Sequence, residues 1–282
     1  MGGSGSYRKI ILILVIMGMI CEIAMAQGQS EPQEITFQHA GNITGVNDYS
    51  WALAAGDIDG DSYPDFVVGD SSASGGGQIR IFLNDEGTGH FIEHETPILT
   101  DKRPACLALA DMNGDNLLDI IFVEKTTVGA GYPDVLVIYA RGSPLSYPVQ
   151  TVAAKPSGWI YGIATGDHGQ DGDIDIFIGN QVGYIYLIEN EGHEAFKARL
   201  VGIDVGRNAY GLDTGDMDRD GFLDLVIGDS DGEVEVFYGS SSGSYSRREY
   251  APIGMLNPLP LGVRGYRNRL IGYNAFGIGV AD

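Results

Sequence analysis

Cysteine and basic residues are scarce in this sequence, and both shortages restrict what the protein can be. Its two cysteines are Cys21 and Cys106, and Cys21 falls within a predicted signal peptide, so an intramolecular disulfide is excluded from the mature chain. Lys and Arg number 17 against 38 Asp and Glu, which gives a net charge of −21. Nucleic acid and anionic lipid would be repelled by this charge, whereas metal cations are the simplest partners that fit it.

Long apolar runs are missing too, since none reaches the roughly 20 residues that a membrane-spanning helix needs. The run from Ile10 to Ile20 follows Arg8 and Lys9 and precedes Ala24-Met25-Ala26. This order is typical of a secretory signal peptide. The sequence therefore predicts a signal over residues 1–26 and no membrane span after its removal. It also predicts that the mature protein is secreted or displayed at the cell surface.

The mature chain lacks a sustained 3.6-residue apolar period, which argues against helices. Instead, one unit recurs: "GDIDGDSYPDFVVGD", "ADMNGDNLLDIIFVE", "GDHGQDGDIDIFIGN" and "GDMDRDGFLDLVIGD". The lead acids Asp57, Asp111, Asp167 and Asp216 are separated by 54, 56 and 49 residues. Strand-like segments follow each copy, such as "GQIRIFLN" and "GEVEVFYG". Four-strand units of this length predict an all-β protein, a β-propeller over residues 33–282.

A short lead-in precedes each acidic loop and occurs a fifth time as "FGIGVAD", where Asp282 ends the sequence. The expectation is therefore four complete repeats and the first strand of a fifth, in an incomplete or truncated propeller. Cys106 lies in one lead-in, where a small residue in the core is expected.

Acidic and amide side chains occupy positions 1, 3, 5 and 9 of the loops, counted from the lead acid. Alternate side chains of a curled loop can point inward together, and hard oxygen ligands in this number suit Ca²⁺. Position 3 of the third loop is Gly169, which offers no side-chain ligand, although Asp173 lies nearby. The candidate ligands are Asp57, Asp59, Asp61 and Asp65 in loop 1 (residues 57–65), Asp111, Asn113, Asp115 and Asp119 in loop 2 (111–119), Asp167, Asp171, Asp173 and Asp175 in loop 3 (167–175), and Asp216, Asp218, Asp220 and Asp224 in loop 4 (216–224).

Two alternatives compete with this calcium interpretation. An EF-hand needs a Glu at position 12, where this chain has the apolar residues Val68, Phe122, Ile178 and Ile227, so the EF-hand is excluded. A solvated acidic turn that binds nothing remains an alternative, but four loops with matching positions favour the metal.

These units resemble the FG-GAP/VCBS repeats of integrin-α-type β-propellers, whose loops read D-x-D-x-D-G-x-x-D or D-x-D-G-D-x-x-x-D. The resemblance extends from Trp51 to Asp282. It implies a non-catalytic, extracellular module for binding or adhesion, with about four structural Ca²⁺ ions. Two features depart from the family: the Gly-Ala-Pro element is absent, and such propellers usually have about seven blades. The alternative function is an accessory or partial domain of a larger secreted polysaccharide-degrading enzyme.

The sequence predicts no catalytic residues, because its histidines are scattered without ligand spacing and no nucleophile motif occurs. A binding surface is expected on the face opposite the acidic loops, where Trp51, Trp159, Tyr161 and Tyr210 lie among Tyr49, Lys102, Arg103 and Arg207. Such aromatic and basic side chains suit an extracellular protein or a polysaccharide. The competing interpretation is that these aromatic rings pack between blades.

Overall fold

The fold is built from β-strands, as the sequence predicts. The structure is a computed structural model that describes residues 11–16, 19–24, 39–42, 52–71, 76–94, 97–124, 133–142, 146–230, 233–252, 263–265 and 278–280. The N-terminal strands β1 (Ile11–Ile16), β2 (Met19–Ala24) and β3 (His39–Asn42) form a small antiparallel sheet. The first two overlap the predicted signal peptide, whose cleavage stays a prediction.

Four antiparallel sheets follow and are arranged in a ring as the blades of a β-propeller. The strands of blade 1 are β4 (Ala52–Gly56), β5 (Asp65–Ser71), β6 (Gly77–Asn84), β7 (Phe91–Glu93) and β8 (Ile98–Thr100). A short 3₁₀ turn at Asp85–Gly87 follows β6. The segment "FIEHETPIL", which stands where a four-strand unit has its fourth strand, forms two short strands, and both pair with β6.

The other three blades are simple four-stranded meanders. The strands of blade 2 are β9 (Pro104–Ala110), β10 (Asp119–Glu124), β11 (Val135–Arg141) and β12 (Ser146–Ala154). Those of blade 3 are β13 (Ile160–Gly166), β14 (Asp175–Asn180), β15 (Tyr184–Asn190) and β16 (Phe196–Asp204). Those of blade 4 are β17 (Ala209–Gly215), β18 (Asp224–Asp229), β19 (Glu233–Tyr238) and β20 (Ser246–Pro252).

The core lies between successive blades, because the second strand of each sheet is apolar on both faces. Residues Asp119–Glu124 and Asp175–Asn180 are buried throughout, as the continuous apolar runs of their sequences predict. Alternate residues then serve different interfaces. In β14, Ile176 and Ile178 pack toward blade 2, and Phe177 packs toward blade 4. Cys106 is buried in the cluster between blades 2 and 3.

The predicted fifth lead-in occupies the position of a fifth inner strand. The inner strands β9 and β17 contact the first two strands of the preceding blade: β9 contacts β4 and β5, and β17 contacts β13 and β14. The backbone of β22 (Ile278–Val280) contacts β17 and β18 in the same way and pairs with β21 (Val263–Gly265). The repeat pattern read from the sequence therefore extends beyond blade 4.

Candidate metal centres

Each acidic loop joins the first and second strands of its blade, so the four loops lie at the same end of the propeller. Their backbones share one unusual feature: positions 4 and 6 both adopt positive φ. The residues concerned are Gly60 (81°) and Ser62 (73°), Gly114 (74°) and Asn116 (65°), Gln170 (55°) and Gly172 (91°), and Arg219 (62°) and Gly221 (88°). The two loop patterns in the sequence are therefore one conformation, with its glycine at either position.

The lead carboxylate of each loop accepts hydrogen bonds from backbone amides of its own loop. In loop 1, Asp57 accepts hydrogen bonds from Gly60 N at 2.8 Å and from Ser62 N at 2.9 Å. In loop 4, Asp216 accepts from Asp220 N at 3.1 Å and from Gly221 N at 3.0 Å. The chain curls around these acids, and its curvature turns the neighbouring side chains toward one another.

Carboxylates converge in two of the loops. Asp57, Asp59 and Asp61 each place an oxygen within 4.8 Å of the others, and so do Asp216, Asp218 and Asp224. In loop 1, the pKa of Asp59 is raised above its usual value, first by partial burial and then by the negative charges of Asp61 and Asp57. Clustered hard oxygen donors with mutual repulsion fit a Ca²⁺ ion. In loop 2, the amide of Asn113 stands where loops 1 and 4 have a carboxylate.

The acids at position 9 have a structural role that sequence reasoning missed. All four are buried at the start of the second strand. In loop 1, the two oxygens of Asp65 accept hydrogen bonds from Ile58 N and Asn84 N, each at 2.8 Å. The same pair of bonds recurs at Asp119, Asp175 and Asp224. Each acid therefore joins its loop to the end of the third strand.

Burial dominates the acidity of these position 9 carboxyls. Desolvation raises the pKa values of Asp65, Asp119 and Asp175 to about 6, although the backbone hydrogen bonds to each carboxylate oppose this effect. The pKa of Asp224 is raised for the same reason. Only Asp224 belongs to a converging group in its loop, and the ligand roles of all four acids stay predictions.

Loop 3 is arranged differently from the others. Among the described residues, its carboxylates do not form a converging group of three. Asp171, Asp173 and Asp175 instead line a cavity of about 230 Å³, and the other polar side chains that line it are those of His168, Glu189, Asn190 and Glu191. His168 Nδ1 lies 2.9 Å from Tyr245 Oη, and Arg199 donates to His168 Nε2 at 3.2 Å. Burial, and then the Arg199 charge, lower the pKa of His168. Its neutral ring therefore donates from Nδ1 to the Tyr245 hydroxyl.

A further acidic group lies at the junction of blades 3 and 4. Asp229, Glu233 and Glu235 place one oxygen each within 4.8 Å of one another. Arg207 donates to Asp229 at 3.0 Å and also to Glu233. Sequence reasoning missed this group because Glu233 and Glu235 alternate with valines, as solvent-facing strand residues do. Arg207, predicted to lie on a ligand surface, is engaged in this ion-pair network.

The predicted aromatic surface is found in part. Trp159 is 40% exposed, whereas Tyr161 and Tyr210 lie against each other across blades 3 and 4, with ring centroids 4.8 Å apart. Trp51 lies outside the described residues. Lys102 pairs with buried Glu124 at 3.2 Å. Among the described members of this predicted surface, Trp159 therefore offers the most accessible ring, and the two tyrosines combine packing with partial exposure.

The fold and the repeated loops define the class of protein: an all-β propeller whose blades each carry an acidic loop between the first two strands. The chain matches the family model described as FG-GAP-like repeat over residues 57–122 and 167–227. It therefore contains FG-GAP-like repeats within a four-bladed β-propeller, as the resemblance in its sequence indicated. A comparison with curated proteins gave no match. In the residues that the structure describes, no helix has the length and apolarity that crossing a membrane requires.

Proposed function

We propose that this protein is a secreted or cell-surface propeller that binds Ca²⁺ in its acidic loops and serves as a non-catalytic binding module. The observation that carries the proposal is the convergence of three carboxylates in loop 1 and of three in loop 4, within 4.8 Å in each case. Like charges at this separation repel one another, and a divalent cation between them reverses the sign of the interaction.

The ions would be structural. The first-position acids already hold the loops in their curled form, so an ion would bind a prepared set of oxygens. Extracellular modules bind Ca²⁺ with Kd values of about 10⁻⁴ to 10⁻³ M. At a tenfold excess over Kd, each site would stabilise the fold by about 1.4 kcal/mol. Several such sites would form a substantial part of the stability of a domain without disulfides.

The ligand surface would lie on the face opposite the loops, around Trp159. Trp159 is exposed, and its backbone carbonyl accepts a hydrogen bond from Gln181 N at 2.8 Å. Rigid, exposed aromatic rings suit stacking on a sugar or packing against a peptide. An extracellular protein or a polysaccharide is therefore the proposed partner.

The test is thermal unfolding in millimolar Ca²⁺, in Mg²⁺ and with excess chelator. We expect Ca²⁺ to raise the Tm by several degrees, and we expect a smaller effect of Mg²⁺. The double variant Asp218→Ala, Asp220→Ala should lose part of this rise. Asp101→Ala, an exposed acid outside the loops, is the matched control and should keep all of it. Equal Tm values in calcium and chelator would refute the calcium proposal.

A further inference from the structure

Gln170 occupies position 4 of loop 3, where loop 4 has Arg219 at a similar φ. Its φ of 55° lies in the left-handed region, which strains residues other than glycine. Loops 1 and 2 have Gly60 and Gly114 at this position. The side-chain amide of Gln170 donates to the carbonyl oxygen of Gly221, at position 6 of loop 4. Ser62, Asn116 and Arg219 share this backbone conformation, so it is the contact with the next loop that indicates a role for the Gln170 side chain.

The carbonyl that Gln170 holds belongs to a peptide group that positions a predicted ligand. Gly221 C=O and Phe222 N–H form one planar unit, and Phe222 N donates to Asp220 Oδ1 at 2.9 Å. Fixing one end of this unit also fixes the direction of its N–H. Gln170 therefore sets the orientation of the group that holds the Asp220 carboxylate.

Other contacts keep loop 3 and blade 4 in register. The ring of His168 bonds to the hydroxyl of Tyr245 at 2.9 Å, and Thr214 Oγ1 donates to the Thr165 carbonyl at 2.6 Å. Loops 2 and 3 cannot be braced from the preceding loop in the way that Gln170 braces loop 4, because Gly60 and Gly114 have no side chain. Among the four described loops, loop 4 has both a converging carboxylate group and a brace of this kind.

On the basis of the proposed function, we propose that Gln170 is a positioning residue for the calcium site of loop 4. It prearranges Asp220, so that loop 4 binds Ca²⁺ more tightly than its own residues alone would allow. Loop 3, which lacks a side-chain ligand at Gly169, thereby contributes to a site in the neighbouring blade.

Glycine amides provide one reporter in each of loops 1, 2 and 4 for the test. Protein labelled with ¹⁵N-glycine would be titrated with Ca²⁺ by NMR, following Gly60, Gly114 and Gly221. The variant Gln170→Met keeps the length and the strained backbone position but removes the N–H donor. We expect the midpoint of the Gly221 shift to rise about three- to tenfold, as the loss of one hydrogen bond implies. The midpoints of Gly60 and Gly114 should stay unchanged, and so should all three in the control variant Gln181→Met.

The possible outcomes separate this inference from the function on which it rests. If Gly221 keeps its midpoint in Gln170→Met, or if all three reporters shift equally, the positioning role is wrong. Should Gln170→Met fail to fold, Gln170→Gly decides, because glycine tolerates the positive φ. If no reporter responds to Ca²⁺ in the native protein, calcium binding itself fails and the role of Gln170 falls with it.

Discussion

The carboxylate of Asp65 holds the amide of Asn84, 19 residues further along the chain, at 2.8 Å. Its other oxygen accepts a bond from Ile58 N at the start of the same loop. One buried side chain thereby connects three segments of blade 1: the acidic loop, the second strand and the end of the third. The repetition of this contact in every described blade explains why each acidic loop ends in an acid that opens an apolar strand.

Removing one of these buried acids should therefore destabilise the protein whether or not calcium is present. Asp119→Ala leaves the amides of Met112 and Ala140 without their acceptor. The free energy of unfolding should fall by about 2 to 5 kcal/mol, as measured by urea denaturation.

Substitution of the exposed loop acid Asp61 should cost less stability than substitution of the buried Asp119. In chelator, Asp61→Ala should cost under about 1 kcal/mol, because its partner Tyr63 N is in an exposed turn. In calcium, the same variant should cost more. Equal costs for Asp119→Ala and Asp61→Ala in chelator would contradict the distinction between structural and ligand acids.

The metal-free protein should become less stable as the pH rises from about 4 to 7. The pKa values of Asp65, Asp119 and Asp175 are raised from 3.8 to about 6 in the folded state. Between these values the folded protein binds more protons than the unfolded chain, so its stability falls with increasing pH. This contribution is fully present below pH 3.8 and is lost as the pH passes through about 6.

Urea denaturation at several pH values, in metal-free buffer, measures this dependence. Asp65→Asn cannot ionise and should show a shallower fall between pH 4 and 7 than the native protein. Asp85→Asn, an exposed acid beyond the loops, is the control and should retain the native slope. A stability that increases over this range would show that the raised pKa values do not govern it.

The sequence sufficed for the fold and for the positions of the four acidic loops, because both depend on local patterns that recur. Apolar runs such as Ile176–Ile178 predict fully buried strands, and the spacing of Asp57, Asp59 and Asp61 predicts their convergence. The contacts of His168 with Arg199 and Tyr245 join residues distant in sequence, and no local pattern encodes them. The acidic group that contains Glu233 and Glu235 could not be predicted for a related reason. The alternating pattern of a strand does not show that both of its faces are covered.

Close packing between blades should make Gly179 intolerant of a side chain. A Cβ atom at this position would lie 2.7 Å from Ala209 Cβ on the inner strand of blade 4. Since interiors are packed without spare volume, Gly179→Ala should destabilise the fold by about 1 to 3 kcal/mol. Gly202→Ala places its Cβ in open space but at a φ of 77°, so it measures backbone strain alone. The cost at Gly179 should exceed that at Gly202 in thermal unfolding.

In loop 1, one substitution can add backbone strain and another can remove it, so the energetic cost of this strain can be measured. Gly60 and Ser62 both adopt positive φ, and a Cβ at Gly60 would contact nothing within 4 Å. Gly60→Ala should therefore destabilise the protein through conformation alone, by about 1 kcal/mol. Ser62→Gly should have the opposite effect and stabilise by a similar amount, reduced by the extra freedom that glycine gives the unfolded chain.

Thermal unfolding in chelator measures both variants without interference from metal binding. The double variant Gly60→Ala, Ser62→Gly exchanges the D-x-D-G-D pattern of loop 1 for the D-x-D-x-D-G pattern of loop 4. Because the two patterns adopt one backbone conformation, this variant should unfold close to the native Tm and bind Ca²⁺ with unchanged affinity. A large loss of either property would mean that the two glycine positions are not interchangeable, and that the loops differ in more than the placement of one residue.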